Sequence, residues 1–175
     1  MSTKPLLRIS LLVVAAFSLE AFSESEKLVA SGGGEISEST LLDVYKSPTC
    51  RCCSKWITHL KSHNPQGQGF KVQAHNKSNM PALKAERGIA PRHQSCHTGV
   101  SKEGYVFEGH IPARIIQQFL SEKPEGAIGL AVPGMPKGSP GMEMGAMFSP
   151  YNVLLLKADG SSTIYAQITQ QQEQY

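Results

Sequence analysis

The stretch Cys50-Arg51-Cys52-Cys53 is the sequence feature that most constrains the fold of this chain. An apolar run at residues 41–45 precedes it and reads as a buried strand, which Pro48 ends. From Cys53 to about His63, apolar residues recur at helical spacing. A Cys-x-x-Cys pair between a strand and a helix is typical of a thioredoxin-like domain.

The remaining elements follow the order expected for that class of domain. The patterns predict a strand at residues 70–74, a short helix at 79–88 and a hairpin at 98–108. They then predict a further helix from residue 112 and a final pair of strands at 151–156 and 163–166. We therefore predict an α/β fold, a thioredoxin-like single domain with a central mixed sheet flanked by helices.

The N-terminal residues predict export. Lys4 and Arg8 precede an apolar run at residues 9–17, and small residues follow at 21–23, as in a secretory signal peptide. The run is too short to span a bilayer comfortably, although a membrane anchor or a buried helix is the alternative. We predict a signal peptide at residues 1–23, a flexible linker at 24–39, the thioredoxin-like metal-binding domain at 40–168 and a disordered tail at 169–175.

The predicted localisation is the periplasm, with no stable membrane insertion after signal cleavage. The formal net charge of +3 is small, and the chain has no cluster of basic residues. Nucleic-acid binding is therefore not expected.

Cys52 is the residue that a simple dithiol site does not need. A third thiol beside an exchanging pair would compete for the mixed disulfide. Structural disulfides are awkward as well, because Cys52 and Cys53 are adjacent and would pair with each other only through a strained ring. A structural zinc site usually takes its thiolates from two separated Cys-x-x-Cys pairs, so zinc is the less favoured metal.

A polynuclear Cu(I) cluster uses crowded thiolates better, because sulfur atoms pointing in different directions can bridge several soft ions. Cys96 is the fourth cysteine, and the predicted fold places its loop against Cys50, Cys52 and Cys53. His97 is a further candidate ligand, and His110, at a strand-to-helix turn, is a weaker one. A methionine-rich loop at residues 131–147 adds Met142 and Met144, whose thioethers also bind Cu(I), although methionines there can equally be flexible filler.

Four motifs in this order resemble the CopG family, small exported metal-binding proteins of bacterial copper-resistance systems. They are residues 45–53 (YKSPTCRCC), 95–98 (SCHT), 105–112 (YVFEGHIP), and 129–136 with 138–143 (GLAVPGMP, GSPGME). The resemblance covers about residues 41–148 and implies a thioredoxin-like domain with copper held by Cys50, Cys52, Cys53 and Cys96. Such proteins commonly have glycine where this chain has Arg51.

We therefore predict a periplasmic copper-binding protein that holds a Cu(I)-thiolate cluster, for resistance by sequestration, transfer or Cu(I)/Cu(II) redox conversion. The alternative is a thiol-disulfide oxidoreductase with Cys50 as nucleophile and Cys53 as resolving cysteine. The expected partners are copper ions and other periplasmic copper-resistance proteins. Whether the chain is an enzyme or a carrier is left open by the sequence.

Overall fold

The computed structural model describes residues 40–65 and 69–175. The predicted signal peptide (1–23) and linker (24–39) lie outside the described residues. Among the described helices, none is long and apolar enough to cross a membrane.

The described residues form one mixed sheet with three α-helices. In chain order the elements are β1 (Thr40–Lys46), α1 (Arg51–Ser62), β2 (Phe70–Asn76), α2 (Met80–Glu86), β3 (His97–Ser101), β4 (Val106–Glu108), α3 (Ala113–Glu122), β5 (Ala127–Ala131), β6 (Tyr151–Lys157) and β7 (Ser162–Ile168). Short 3₁₀ turns occur at Pro91–His93 and Gln171–Gln174.

The strand order confirms the predicted fold class. The sheet runs β2-β1-β3-β4-β5-β6-β7. Strand β1 is parallel to β2 and antiparallel to β3, and β3 is antiparallel to β4. These four strands with α1, α2 and α3 form the thioredoxin-like unit, and β5, β6 and β7 extend the sheet beyond it.

Strand β5 was not predicted, because it lies in a stretch, residues 124–150, that is rich in glycine, proline and methionine. The structure explains Gly129, whose φ is +151° where β5 pairs in parallel with β4. A Cβ there would overlap the backbone of Val106, so only glycine allows the two strands to approach this closely.

Apolar side chains cover both faces of the sheet. Phe107 packs with Trp56 of α1 and Phe119 of α3 in the main core cluster. Its neighbour Val106 belongs to a second cluster, as expected when successive strand residues point to opposite faces. The Trp56 indole N–H donates to the Ile111 carbonyl at 2.8 Å, which ties α1 to the turn before α3.

The C-terminal residues differ from the disordered tail predicted for residues 169–175. Residues Gln171–Gln174 form a 3₁₀ helix with a capping box. Gln174 is fully buried, donates to the Gly138 carbonyl at 2.9 Å and accepts from the Tyr151 hydroxyl at 2.6 Å. A glutamine-rich composition suggests a solvated end, whereas here the Gly138 carbonyl and the Tyr151 hydroxyl, both distant in sequence, satisfy the buried amide.

Candidate metal centre

Three of the four cysteines lie at the N-terminus of α1. Cys50 is the N-cap residue of the helix, and its sulfur accepts a hydrogen bond from the Cys53 N–H at 3.3 Å. Cys50 and Cys53 form a disulfide, and the Cys52 thiol is free. The Cys50 and Cys52 sulfur atoms are 3.5 Å apart. The turn that follows β1 therefore places all three sulfurs at the C-terminal end of that strand.

Strand pairing brings Cys96 to the same place. Because β1 and β3 are antiparallel, Lys46 at the end of β1 lies opposite His97 at the start of β3. The Cys96 sulfur lies 3.9 Å from that of Cys52. All four cysteine sulfurs lie within 4.8 Å of one another, so the fold assembles the predicted four-cysteine set from two segments distant in sequence.

Cys96 also belongs to a second group of donor atoms, with His97 and His110. Its sulfur lies 3.2 Å from Nδ1 of His97 and 3.1 Å from Nε2 of His110. Nδ1 of His110 donates to the Pro140 carbonyl at 2.8 Å. Since a carbonyl only accepts, Nδ1 carries the proton and Nε2 is left bare, facing the sulfur. A ring oriented in this way is what metal-binding histidines usually show.

His97 is fully buried, and its Nε2 has no hydrogen-bond partner among the described residues. Its ring packs against Trp56 with the centroids 4.2 Å apart. Burial, followed by the nearby His110 and the Lys84 ammonium, lowers the pKa of His97 well below its usual value. Burial also lowers the pKa of His110. Both imidazoles are therefore neutral at physiological pH, the form in which histidine binds a metal.

The Cys96 thiol is held in its protonated form. Burial and the adjacent Cys52 raise the pKa of Cys96 to about 12. The thiolate is the form that binds a metal. A cation bound beside this sulfur would favour the thiolate, and the proton would be released.

The methionine-rich loop forms the outer wall of the site. Met142 and Met144 line a cavity of about 360 Å³, together with Arg51, Cys52, Lys55, Gly141 and Glu143. Gly141 has a φ of +86°, and a Cβ there would lie 2.7 Å from the Cys52 carbonyl oxygen. The loop can therefore pack directly on α1 only because this residue is glycine.

The methionines of this loop do not share one environment. The Met144 side chain is 56% exposed at the cavity mouth, and Met142 is half-buried. Met135 and Met147 are also exposed but do not line this cavity. The structure thus places Met142 and Met144, the two predicted candidates, beside Cys52.

Two features of the site were weak or absent in the sequence reasoning. His110 was the weaker histidine candidate, yet it lies as close to the Cys96 sulfur as His97 does. A buried ion pair between Lys84 and Glu108, behind Cys96, was missed. The available signal was spacing, because Lys84 follows Met80 by four residues and so shares its buried helix face.

Comparisons with known proteins agree with this geometry. A family model described as "Protein of unknown function, DUF411" matches residues 93–142. No significant match was found among curated proteins. The solved structure "Copper resistance protein copG- Form 1" is 40% identical, with a TM-score of 0.66, over 75% of this chain and 98% of that one. The solved structure "Copper resistance protein copG- Form 2" is 39% identical, with a TM-score of 0.67, over 75% of this chain and 99% of that one. The chain therefore belongs to the CopG family of copper resistance proteins.

Proposed function

We propose that this chain is a copper-binding protein that holds Cu(I) ions, its cargo, on Cys50, Cys52, Cys53 and Cys96. The observation that carries the proposal is the convergence of the four sulfur atoms within 4.8 Å of one another. The likeness to structures titled copper resistance protein CopG supports the choice of copper.

The donor set suits soft, monovalent copper. Thiolates and thioethers select Cu(I), and thiolates can bridge several such ions. Cys52 and Cys53 are adjacent in the chain, which disfavours a single tetrahedral zinc ion but is compatible with a polynuclear cluster. We therefore propose Cu(I) held in a polynuclear thiolate cluster rather than one zinc ion.

Two further kinds of donor extend the thiolate set. The bare Nε2 of His110 and the His97 ring lie beside Cys96, on the buried side of the cluster. Met142 and Met144 lie at the mouth beside Cys52. We propose that the imidazoles complete the inner ligand set, and that the thioethers pass copper between solvent and the thiolates.

The thiols can also change the oxidation state of the cargo. Oxidation of the Cys50 and Cys53 thiols to their disulfide releases two electrons and two protons, and two Cu(II) ions that take one electron each become Cu(I). The same site can thus serve sequestration, transfer or Cu(I)/Cu(II) conversion during copper resistance. We assign this role to the periplasm, on the basis of the predicted signal peptide, with other copper-resistance proteins as partners.

A second candidate is a thiol-disulfide oxidoreductase, with Cys50 as nucleophile and Cys53 as resolving cysteine. The disulfide between these residues at the start of α1 favours it. Orphan N–H groups and the helix dipole at that position stabilise a thiolate, as dithiol exchange requires.

The decisive experiment compares the parent with the double variant C52S/C96S, both reduced and free of oxygen. We expect the parent to take Cu(I) from a chromogenic chelator at several ions per chain. The double variant should lose most of this capacity, and neither protein should reduce insulin disulfides. Metal analysis of anaerobically purified protein checks the choice of metal.

The parent with its Cys50 and Cys53 disulfide intact is the matched control, because it has the same sequence with two of its four thiols blocked. It should bind clearly less Cu(I) than the reduced protein. Insulin reduction that survives in C52S/C96S, with no copper uptake by the parent, would favour the oxidoreductase. One zinc ion per chain would reject the copper cluster.

A further inference from the structure

A buried ion pair lies directly behind the copper ligands proposed for the inner side. Glu108, the last residue of β4, is fully buried, and Lys84 of α2 is 3% exposed. The Lys84 ammonium donates to Oε1 of Glu108. Neither residue is a donor in the two ligand groups described above, so the proposed metal binding does not by itself explain the pair.

The pair is bonded to both ends of the segment that carries Cys96 and His97. At one end, the Ser95 N–H donates to Oε1 of Glu108 at 2.6 Å, and the Ser95 carbonyl accepts from Lys84 Nζ at 3.0 Å. At the other end, the Thr98 hydroxyl donates to Oε2 of Glu108 at 2.6 Å. One carboxylate therefore holds both residues that flank the two ligands.

The third donor is attached to the same carboxylate through the chain. His110 follows Glu108 by two residues, and the intervening Gly109 donates its N–H to the His97 carbonyl at 3.0 Å. Gly109 has a φ of +80°, and a Cβ there would lie 2.7 Å from Cβ of Ser95. The segments carrying Cys96, His97 and His110 are thus packed backbone to backbone around Glu108.

Stability alone is a poor reason for such an arrangement. Removing two charges from water is costly, and well-packed apolar residues often replace a buried ion pair without loss of stability. A fully hydrogen-bonded buried network does, however, fix one geometry among its members. Here that geometry is the spacing of one sulfur and two nitrogen donors.

We propose that Glu108 and Lys84 are the positioning residues of the Cys96, His97 and His110 donor atoms, and that they set the affinity and the nitrogen content of the copper site on that side. This inference rests on the proposed copper-binding function. The ion pair touches no metal in this role and acts only through the backbone and hydroxyl groups that it holds.

The test uses the double variant K84M/E108Q, because either single change would leave one buried charge unpaired. The matched control is E103Q/K123M, which neutralises an exposed Glu103–Lys123 pair in the same way. The reduced full chain is loaded with Cu(I) under anaerobic conditions. Its affinity is then measured by competition with bathocuproine disulfonate, and its nitrogen ligation by copper X-ray absorption.

We expect K84M/E108Q to bind Cu(I) about 10–100-fold more weakly than the parent, the usual effect of losing outer-shell support, and to lose nitrogen ligation. The control variant should match the parent. In a background that already carries H97A and H110A, the same double change should cost less, because two of the three donors it positions are gone.

Parent-like affinity with unchanged nitrogen ligation in K84M/E108Q would overturn the inference while leaving the proposed function intact. So would a loss of affinity of undiminished size in the H97A/H110A background, because the pair would then not act through the nitrogen donors. A parent that takes up no Cu(I) would remove the proposed function, and this inference with it.

The variant T98V serves if K84M/E108Q does not fold. It removes one hydrogen bond to Glu108 with nearly the same side-chain shape and leaves the ion pair in place. We expect a several-fold weaker Cu(I) affinity with reduced nitrogen ligation, and values equal to the parent would overturn the proposal.

Discussion

The two sides of the candidate metal centre are built differently. The outer side has Cys50, Cys52, Met142 and Met144, which are half-buried or exposed and line or adjoin an open cavity. The inner side has Cys96 with His97 and His110, both histidines fully buried. The outer donor atoms are all sulfur, and they lie at the start of α1 and on the methionine-rich loop. The inner donor atoms include two ring nitrogens, which are carried by tightly packed segments of the chain.

We propose that this difference gives the two sides of the site different roles in copper binding. Thioethers on a loop beside an open cavity can change partners easily, which favours exchange of Cu(I) with solvent. Buried imidazoles with one bare nitrogen keep a fixed geometry, which favours retention. Cys96 belongs to both groups of donors, so we expect copper to enter at the outer side and to be held through Cys96 at the inner one.

Replacing Cys96 is the strongest way to break this comparison. We expect C96S to weaken Cu(I) binding by more than the roughly 10–100-fold typical of losing outer-shell support, because it removes the sulfur common to both groups. C50S removes only an outer sulfur and is the matched control. Chelator competition on reduced protein measures both, and a greater loss in C50S would contradict a central role for Cys96.

Acid should weaken the fold through a neutral histidine that bonds to the start of α3, the helix that follows His110 in the chain. Nε2 of His59 accepts from the Ala113 N–H at 3.0 Å, at the start of α3. Burial, aided by nearby His63 and opposed by Glu143, lowers the pKa of His59 to about 4. In the unfolded chain the His59 ring therefore gains a proton near pH 6.5, whereas in the folded chain it gains one only near pH 4.

The stabilisation is thus fully present above pH 6.5 and is lost as the pH falls to about 4. The difference between 6.5 and about 4 corresponds to roughly 3 kcal/mol in the free energy of unfolding. Urea unfolding at several pH values measures it. H59Q retains an acceptor for Ala113 but does not titrate, so its stability should fall less, and a curve as steep as the parent's would contradict the assignment.

Changing the outer thioethers sharpens the comparison from the other side. We expect M142L/M144L to slow Cu(I) transfer several-fold with little change in melting temperature, because leucine fills a similar volume without a soft ligand atom. M135L, outside the cavity, is the control. Deleting residues 142–147 should likewise alter transfer more than stability, and an unchanged transfer rate in these variants would reject the role of the loop.

The smallest expected effect concerns Arg51 and Lys55, exposed cations at the cavity. Neither side chain makes a hydrogen bond or ion pair with another described residue. We expect R51Q to slow Cu(I) uptake from an anionic chelator a few-fold at low salt, because electrostatic attraction raises association rates. K61Q, at the far end of α1, is the control. Equal slowing in both variants, or no salt dependence, would exclude local steering by Arg51.

The sequence indicated the outer side of the centre better than the inner one. Cys50, Cys52 and Cys53 are neighbours in the chain, so their crowding is visible without a fold. Cys96 could be added because the strand and helix order predicted which loop faces them. His110 was harder to choose, since a histidine at a turn has many roles and only its distance to the Cys96 sulfur distinguishes it.

By itself, the sequence determined the thioredoxin-like order of elements and the soft character of the donor set, because periodicity and residue chemistry are local properties. Only the tertiary structure decided which nitrogens face Cys96, how the methionine-rich loop packs on α1, and that Glu108 and Lys84 lie behind the site. Those facts depend on distances between residues remote in the chain. They are set by strand register and by the requirement that buried polar groups find partners, neither of which can be read from residue type alone.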